Sequence, residues 1–207
     1  MRNPWLEISS SDYENHMLEV GQTKVLSNLT KNCLDKYQPE SFAILGCTTG
    51  NGLEHINPEI TSTVHAIDIN SEFLAITKEK FGHKITNLKT YNLDIEKDEL
   101  PFRNVDVFFI GLVLEYVDPF NSLKKIIQSL NRSGVLMLVI QKNIQTTIVT
   151  KTKYKSLEKL EDISNEVNEA EIHKFILSEN MELMNRKTIE LTINKSFIIL
   201  EYRMKEE

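Results

Sequence analysis

The sequence predicts an α/β fold: a three-layer sandwich whose seven-stranded, mostly parallel sheet ends in an antiparallel C-terminal hairpin, with helices on both faces. Three observations predict it. The runs Val105-Asp106-Val107-Phe108-Phe109-Ile110 and Val135-Leu136-Met137-Leu138-Val139-Ile140 are almost continuously apolar, as a parallel sheet covered on both faces requires. Strand and helix patterns alternate along residues 42–141. The last two strand patterns, 182–192 and 196–204, are separated only by Ile193-Asn194-Lys195, a spacing that allows a hairpin and no crossover.

Taken in order, residues 11–36 carry a helical period through Met17, Val20, Val25, Leu26, Leu29 and Leu34, which Gly21 splits in two. Strands are expected over 42–46, 63–68, 84–91, 105–111 and 134–141. Helical stretches separate them near 52–56, 71–81 and 119–131, the first starting near Asn51. Residues 162–178 read as one amphipathic helix with Ile163, Val167, Ile172, Phe175 and Ile176 on its apolar side.

The chain of 207 residues has only 7 Gly and 5 Pro and no linker-like stretch, which favours one domain over 1–207: an N-terminal helical segment, 1–38, and a core, 40–204. The start, Met1-Arg2-Asn3-Pro4-Trp5-Leu6-Glu7, lacks the apolar core of a signal peptide, and the longest uncharged apolar run is too short to span a bilayer. A cytoplasmic location without membrane attachment is expected. A net charge of −6 makes nucleic acid an unlikely partner, because affinity for it rests on neutralising phosphates. Lys151, Lys153 and Lys155 around Tyr154 read as a solvated loop, or alternatively as a lid drawing an acidic substrate. Cys33 and Cys47 have no metal-site or disulfide spacing, so no metal is expected. Oligomeric state is not legible.

The segment with chemical content is Phe42-Ala43-Ile44-Leu45-Gly46-Cys47-Thr48-Thr49-Gly50-Asn51-Gly52. It is followed by Val64-His65-Ala66-Ile67-Asp68-Ile69. A buried strand runs into glycines that let backbone N–H groups approach a ligand, and the next strand ends in a carboxylate able to accept both hydroxyls of a ribose. The plainer alternative is a tight turn with Asp68 serving only the following helix.

This order of motifs resembles the class I S-adenosylmethionine-dependent methyltransferases over roughly residues 40–204. The glycine segment is similar to the family's first motif and Ala66-Ile67-Asp68-Ile69-Asn70 to its second. Asn92-Leu93-Asp94-Ile95 before Leu100-Pro101-Phe102 is similar to the third, where Asp94 would meet the adenine amine. The run Val105 to Val117, through Gly111, resembles the fourth, and Asn131-Arg132-Ser133-Gly134-Val135-Leu136 the entry to the fifth strand. The resemblance implies S-adenosylmethionine as cofactor, a small-molecule methyl acceptor, and a cofactor site built from Tyr13, Gly46, Cys47, Thr48, Gly50, Asn51, Asp68, Ile69, Asp94, Ile95 and Gly111.

Two positions depart from the pattern. Ile44 stands where an acid is usual, and Thr48 replaces the middle glycine, so a positive φ there would cost about 1–2 kcal/mol. Residues 13–17 are expected to fold over the cofactor, with Tyr13 or His16 at its methionine end, or else to pack Tyr13 and Met17 on the sheet. No catalytic residue is assigned. Glu115, Tyr116 and Gln141 are candidates at strand ends, and Glu115 reads more readily as a helix start or a solvent-facing side chain than as a base. Two other functions stay open: a non-catalytic nucleoside-binding protein of the same fold, and an NAD-dependent oxidoreductase using the same turn and acid.

Overall fold

The computed structural model describes residues 3–205; Met1, Arg2, Glu206 and Glu207, the ends of the expected 1–207 span, lie outside the described residues. Seven strands form one sheet in the order β3-β2-β1-β4-β5-β7-β6. They are β1 (Ser41–Leu45), β2 (Thr63–Asp68), β3 (Leu88–Asn92), β4 (Val105–Gly111), β5 (Leu130–Asn143), β6 (Met181–Thr192) and β7 (Lys195–Met204). β1 to β5 pair in parallel, whereas β7 runs antiparallel between β5 and β6. The helices are α1 (Ser10–Glu19), α2 (Gln22–Tyr37), α3 (Ser71–Phe81), α4 (Pro119–Ile127) and α5 (Glu169–Ser178).

The central strands are apolar throughout because successive side chains enter two different cores. Phe108, Ile110, Leu136, Leu138 and Ile140 pack with α4 and α5 residues such as Leu123, Ile126, Ile172 and Ile176. Val107, Phe109, Val135, Met137 and Val139 share the opposite core with Leu26, Leu29 and Leu34 of α2. Gly21, with φ +73°, breaks the first helical period into α1 and α2 as expected.

Four expectations need correction. No α-helix follows Asn51: Gly50 and Gly52 both take positive φ (+88° and +97°), and only a 3₁₀ turn at Leu53–His55 forms. α2 fills that layer instead, with Thr30 directly against Gly52. The third strand starts at Leu88, since residues after α3 continue in turns bonded back to Phe81. α4 stops at Ile127, where the Ser129 N–H and hydroxyl both bond to Ile126 O. The expected helix over 162–178 is two elements, because Asn168 caps a helix beginning at Glu169 while Ile163 ends a 3₁₀ segment, Lys155–Ile163. Among the described residues, no helix is long and apolar enough to cross a membrane, and no cluster could hold a metal ion.

Candidate functional site

A cleft opens beyond the C-terminal ends of β1, β2, β4 and β5, where β1 and β4 lead their connections to opposite sides. At its centre, β1 runs into Gly46, whose N–H joins that of Cys47 on Ile67 O (2.9 and 3.1 Å), pinning the turn to β2. Gly46 has φ +68°, and a Cβ there would lie 2.5 Å from Val113 Cγ2, so this position needs glycine.

Thr48 does adopt the left-handed conformation, φ +47°. Its N–H donates to Asp68 Oδ2 (2.8 Å), and its carbonyl accepts from Thr77 Oγ1 (2.8 Å). A hydrogen bond to a charged acceptor contributes about 1.5–3 kcal/mol, enough to offset about 1–2 kcal/mol of strain. The missing glycine is therefore compatible with an intact turn. Leu112, just after β4, is strained likewise (φ +57°), with its N–H donating to Val139 O.

Asp68 is buried at the end of β2, and its Oδ1 accepts the Asn70 N–H (2.8 Å). Burial pushes its pKa up to about 6, against the pull of the N–H groups of Asn70, Thr48 and Ile69. The Thr48 and Asn70 hydrogen bonds leave both oxygens acceptor capacity, so the carboxylate fits a vicinal diol. Asp94 lines the cleft beyond β3, with Oδ1 accepting the Glu96 N–H (3.1 Å) and Oδ2 paired with Lys97 (2.5 Å).

Of the expected cofactor residues, the cleft brings together Tyr13, Gly46, Thr48, Asp68, Ile69, Asp94, Ile95 and Gly111. Cys47, Gly50 and Asn51 stand behind its wall. Cys47 is buried, Gly50 abuts Phe81 and Thr77 of α3, and Asn51 donates to Thr23 O of α2 (3.1 Å).

Two distant segments roof the cleft. Trp5 packs edge-on against Tyr116 (5.2 Å between centroids) and Tyr13 against Phe73 (5.6 Å). Burial pushes the Tyr13 phenol up to about 12, a hydrogen bond to Thr48 acting the other way. His16 shares a 2.9 Å hydrogen bond with Thr152, and burial lowers its pKa. Residues 148–160 form the other part, held by Glu161 accepting the Ile148 and Val149 N–H groups and by Lys195 donating to Ile148 O (2.7 Å). The segments meet in a cluster of Ile8, Phe73, Val149, Leu157 and Leu160. Lys151, Lys153 and Lys155 are exposed outside the cleft, which does not support a basic lid.

Glu115 differs most from its sequence reading. It lies in a 3₁₀ turn, Leu114–Tyr116, 1% exposed, with Oε1 accepting the Gln141 N–H (2.7 Å). Oε2 has no hydrogen-bond partner among the described residues. Burial pushes its pKa up to about 7. Trp5, Gln22 and Gln141 also line the cleft, Gln22 donating to Gln141 Oε1 (3.0 Å). Only the strand-end position of Glu115 and Gln141 signalled them; nothing local marked Trp5 or Gln22.

Residues 44–138 match a family model described as a methyltransferase domain. Curated relatives include the carboxy-S-adenosyl-L-methionine synthases of Helicobacter pylori strains J99 and 26695, each 29% identical over 134 and 133 residues, 62% of this chain and 54% of theirs. The chain thus spans about half the length of the curated relatives it matches. Among solved structures, the plantazolicin methyltransferase BpumL in complex with SAH superposes with a TM-score of 0.71 at 16% identity, covering 94% of this chain and 90% of that one. An S-adenosylmethionine-dependent methyltransferase from Mesorhizobium loti gives 0.63 at 14%, covering 79% and 90%. At such identities the likeness establishes the fold, which is that of the class I S-adenosylmethionine-dependent methyltransferases. The match ends within β5, so α1, α2, the roof segment and the β6–β7 hairpin lie outside the matched residues.

Proposed function

We propose that this chain is an S-adenosylmethionine-dependent methyltransferase acting on a small-molecule acceptor, in the cytoplasm. The observation that carries this reading is Asp68, fixed by two backbone N–H groups at the end of β2 with acceptor capacity to spare. Asp68 would hold the ribose hydroxyls, Asp94 and Ile95 the adenine, and Gly46, Thr48 and Gly111 the methionine portion. Tyr13 and His16 would close over that end from α1. When bound, the cofactor supplies an electrophilic methyl group on a sulfonium. The chain's contribution is alignment, for which effective-molarity arguments allow about 7–11 kcal/mol.

The curated relatives' name suggests a second reading, formation of a carboxylated cofactor. No Lys or Arg lines the cleft among the described residues, while Asp68, Asp94, Glu96 and Glu115 do. A carboxylate there would meet like charge from these lining side chains, with the Lys195 ammonium tied to Ile148 O and Thr150 behind the wall, which favours the methyl-transfer reading.

Thermal unfolding with S-adenosylmethionine, S-adenosylhomocysteine or NAD tests the proposal. A ligand at a hundred times Kd adds about 2.7 kcal/mol, or about 5–10 °C in Tm at this length. A shift with both sulfur nucleosides and none with NAD is expected. A shift with NAD alone would favour the oxidoreductase, and no shift with any would overturn the cofactor assignment.

A further inference from the structure

The two ends of the cleft carry separate acids. Asp68 and Asp94 follow β2 and β3, whereas Glu115 and Gln141 belong to the β4 and β5 side, with Gly46 and Gly111 between them. If the nucleoside occupies the first end, the second is the chamber that faces the transferred group. This inference rests on the methyltransferase reading and asks what that chamber takes.

We propose that the acceptor is a small aromatic molecule with one ionisable hydroxyl, and that Glu115 Oε2 receives its proton. Glu115 is oriented by the Gln141 N–H on Oε1, which leaves Oε2 buried without a partner. Unmatched buried acceptors are rare because each costs about 1–3 kcal/mol, and an incoming hydroxyl removes that cost. Gln22, Gln141 and His16 on this side are already engaged, Gln22 with Gln141, Gln141 with Asn143 and Ile148, His16 with Thr152, whereas, among the described residues, the Tyr116 hydroxyl is not. The chamber therefore offers Glu115 Oε2 and the Tyr116 hydroxyl to a ligand and little other polarity.

Its walls are Trp5, Tyr116, Val149, Leu157 and Leu160, two rings and three aliphatic side chains that fit a flat apolar body. With no Lys or Arg among the described lining residues, an acceptor bearing a carboxylate or phosphate is disfavoured. Burial also brings the carboxyl near neutrality, where a general base is effective. As the acceptor oxygen bonds to the methyl carbon, its hydrogen passes to Oε2. The electron pair of the broken C–S bond stays on sulfur, leaving a thioether, and Glu115 later returns the proton to solvent.

Calorimetry on the full chain loaded with S-adenosylhomocysteine tests this, with 4-nitrophenol and its methyl ether 4-nitroanisole as probes. At pH 7 the phenol is expected to bind at least tenfold more tightly than the ether. At pH 8, titration in two buffers of different ionisation enthalpy should show uptake of about one proton with the phenol, because the buried pair holds one proton between them. Glu115→Gln, which keeps an acceptor for the Gln141 N–H, should level the two probes and leave S-adenosylhomocysteine affinity within threefold. Equal affinities in the parent protein, binding of neither probe, or no proton uptake would overturn the proposal. So would a tenfold loss of S-adenosylhomocysteine affinity in Glu115→Gln, which would place Glu115 at the cofactor. Failure of the parent protein to bind S-adenosylhomocysteine would instead strike the methyltransferase reading itself.

Discussion

The β2 side and the β5 side of the cleft are built in opposite ways. On the β2 side, Gly46, Thr48, Asp68 and Asn70 lie within a short stretch of chain and fix one another through backbone groups. On the β5 side, Trp5, Gln22, Glu115, Gln141 and Leu157 come from five separate elements and meet only through tertiary packing. The β2 side is thus a local turn and an acid. The β5 side is assembled from long-range contacts, and there a buried carboxylate oxygen is unmatched among the described residues.

The contrast can be broken most strongly at the turn. Gly46→Ala should cost about 2–4 kcal/mol by urea unfolding, adding a positive-φ penalty to a 2.5 Å approach to Val113, and should abolish the thermal shift with S-adenosylhomocysteine. On the other side, Glu115→Gln should stabilise. Its folded pKa is raised from an ordinary 4.5 to about 7, so the folded state holds a proton that the unfolded state releases. Stability from this group is then full below about pH 4 and is lost as pH rises through 7. The variant should be more stable than the parent by about 3 kcal/mol at pH 8 and about equal to it at pH 4, by urea unfolding at each pH. A variant less stable at pH 8 would mean that the carboxylate is matched after all.

Smaller changes sharpen the comparison. Trp5→Ala removes a ring from the roof and its edge contact with Tyr116, for an expected loss of about 1–3 kcal/mol, with S-adenosylhomocysteine affinity reduced less than by any change at the turn. Thr48→Gly relieves the positive φ but loosens the unfolded chain, so urea unfolding should shift by no more than about 1 kcal/mol, with cofactor affinity retained.

These differences explain what the sequence disclosed. The apolar runs of β4 and β5 and the short spacing of the C-terminal hairpin are local signals, and the elements form there, although β5 begins at Leu130, four residues before the expected 134. Local signals failed where a neighbour decided the outcome. The helix expected near Asn51 is displaced by α2 packing on Gly52, and the 162–178 pattern is divided because Ile163 joins the roof cluster instead of the α5 face. Glu115 reads from sequence as a helix start or a solvent-facing side chain because nothing within its own turn shows that Gln141 and the roof bury it.

In the proposed assignment the nucleoside is gripped at Asp68 and not at the opposite end of the cleft. Calorimetric titration of S-adenosylhomocysteine against Asp68→Ala tests it most directly. Losing two hydroxyl hydrogen bonds to a buried carboxylate, each contributing about 1.5–3 kcal/mol, should weaken binding by about 100-fold or more. Circular dichroism should show the variant folded. An affinity within threefold of the parent would contradict the account and make the carboxylate a clamp for the turn alone.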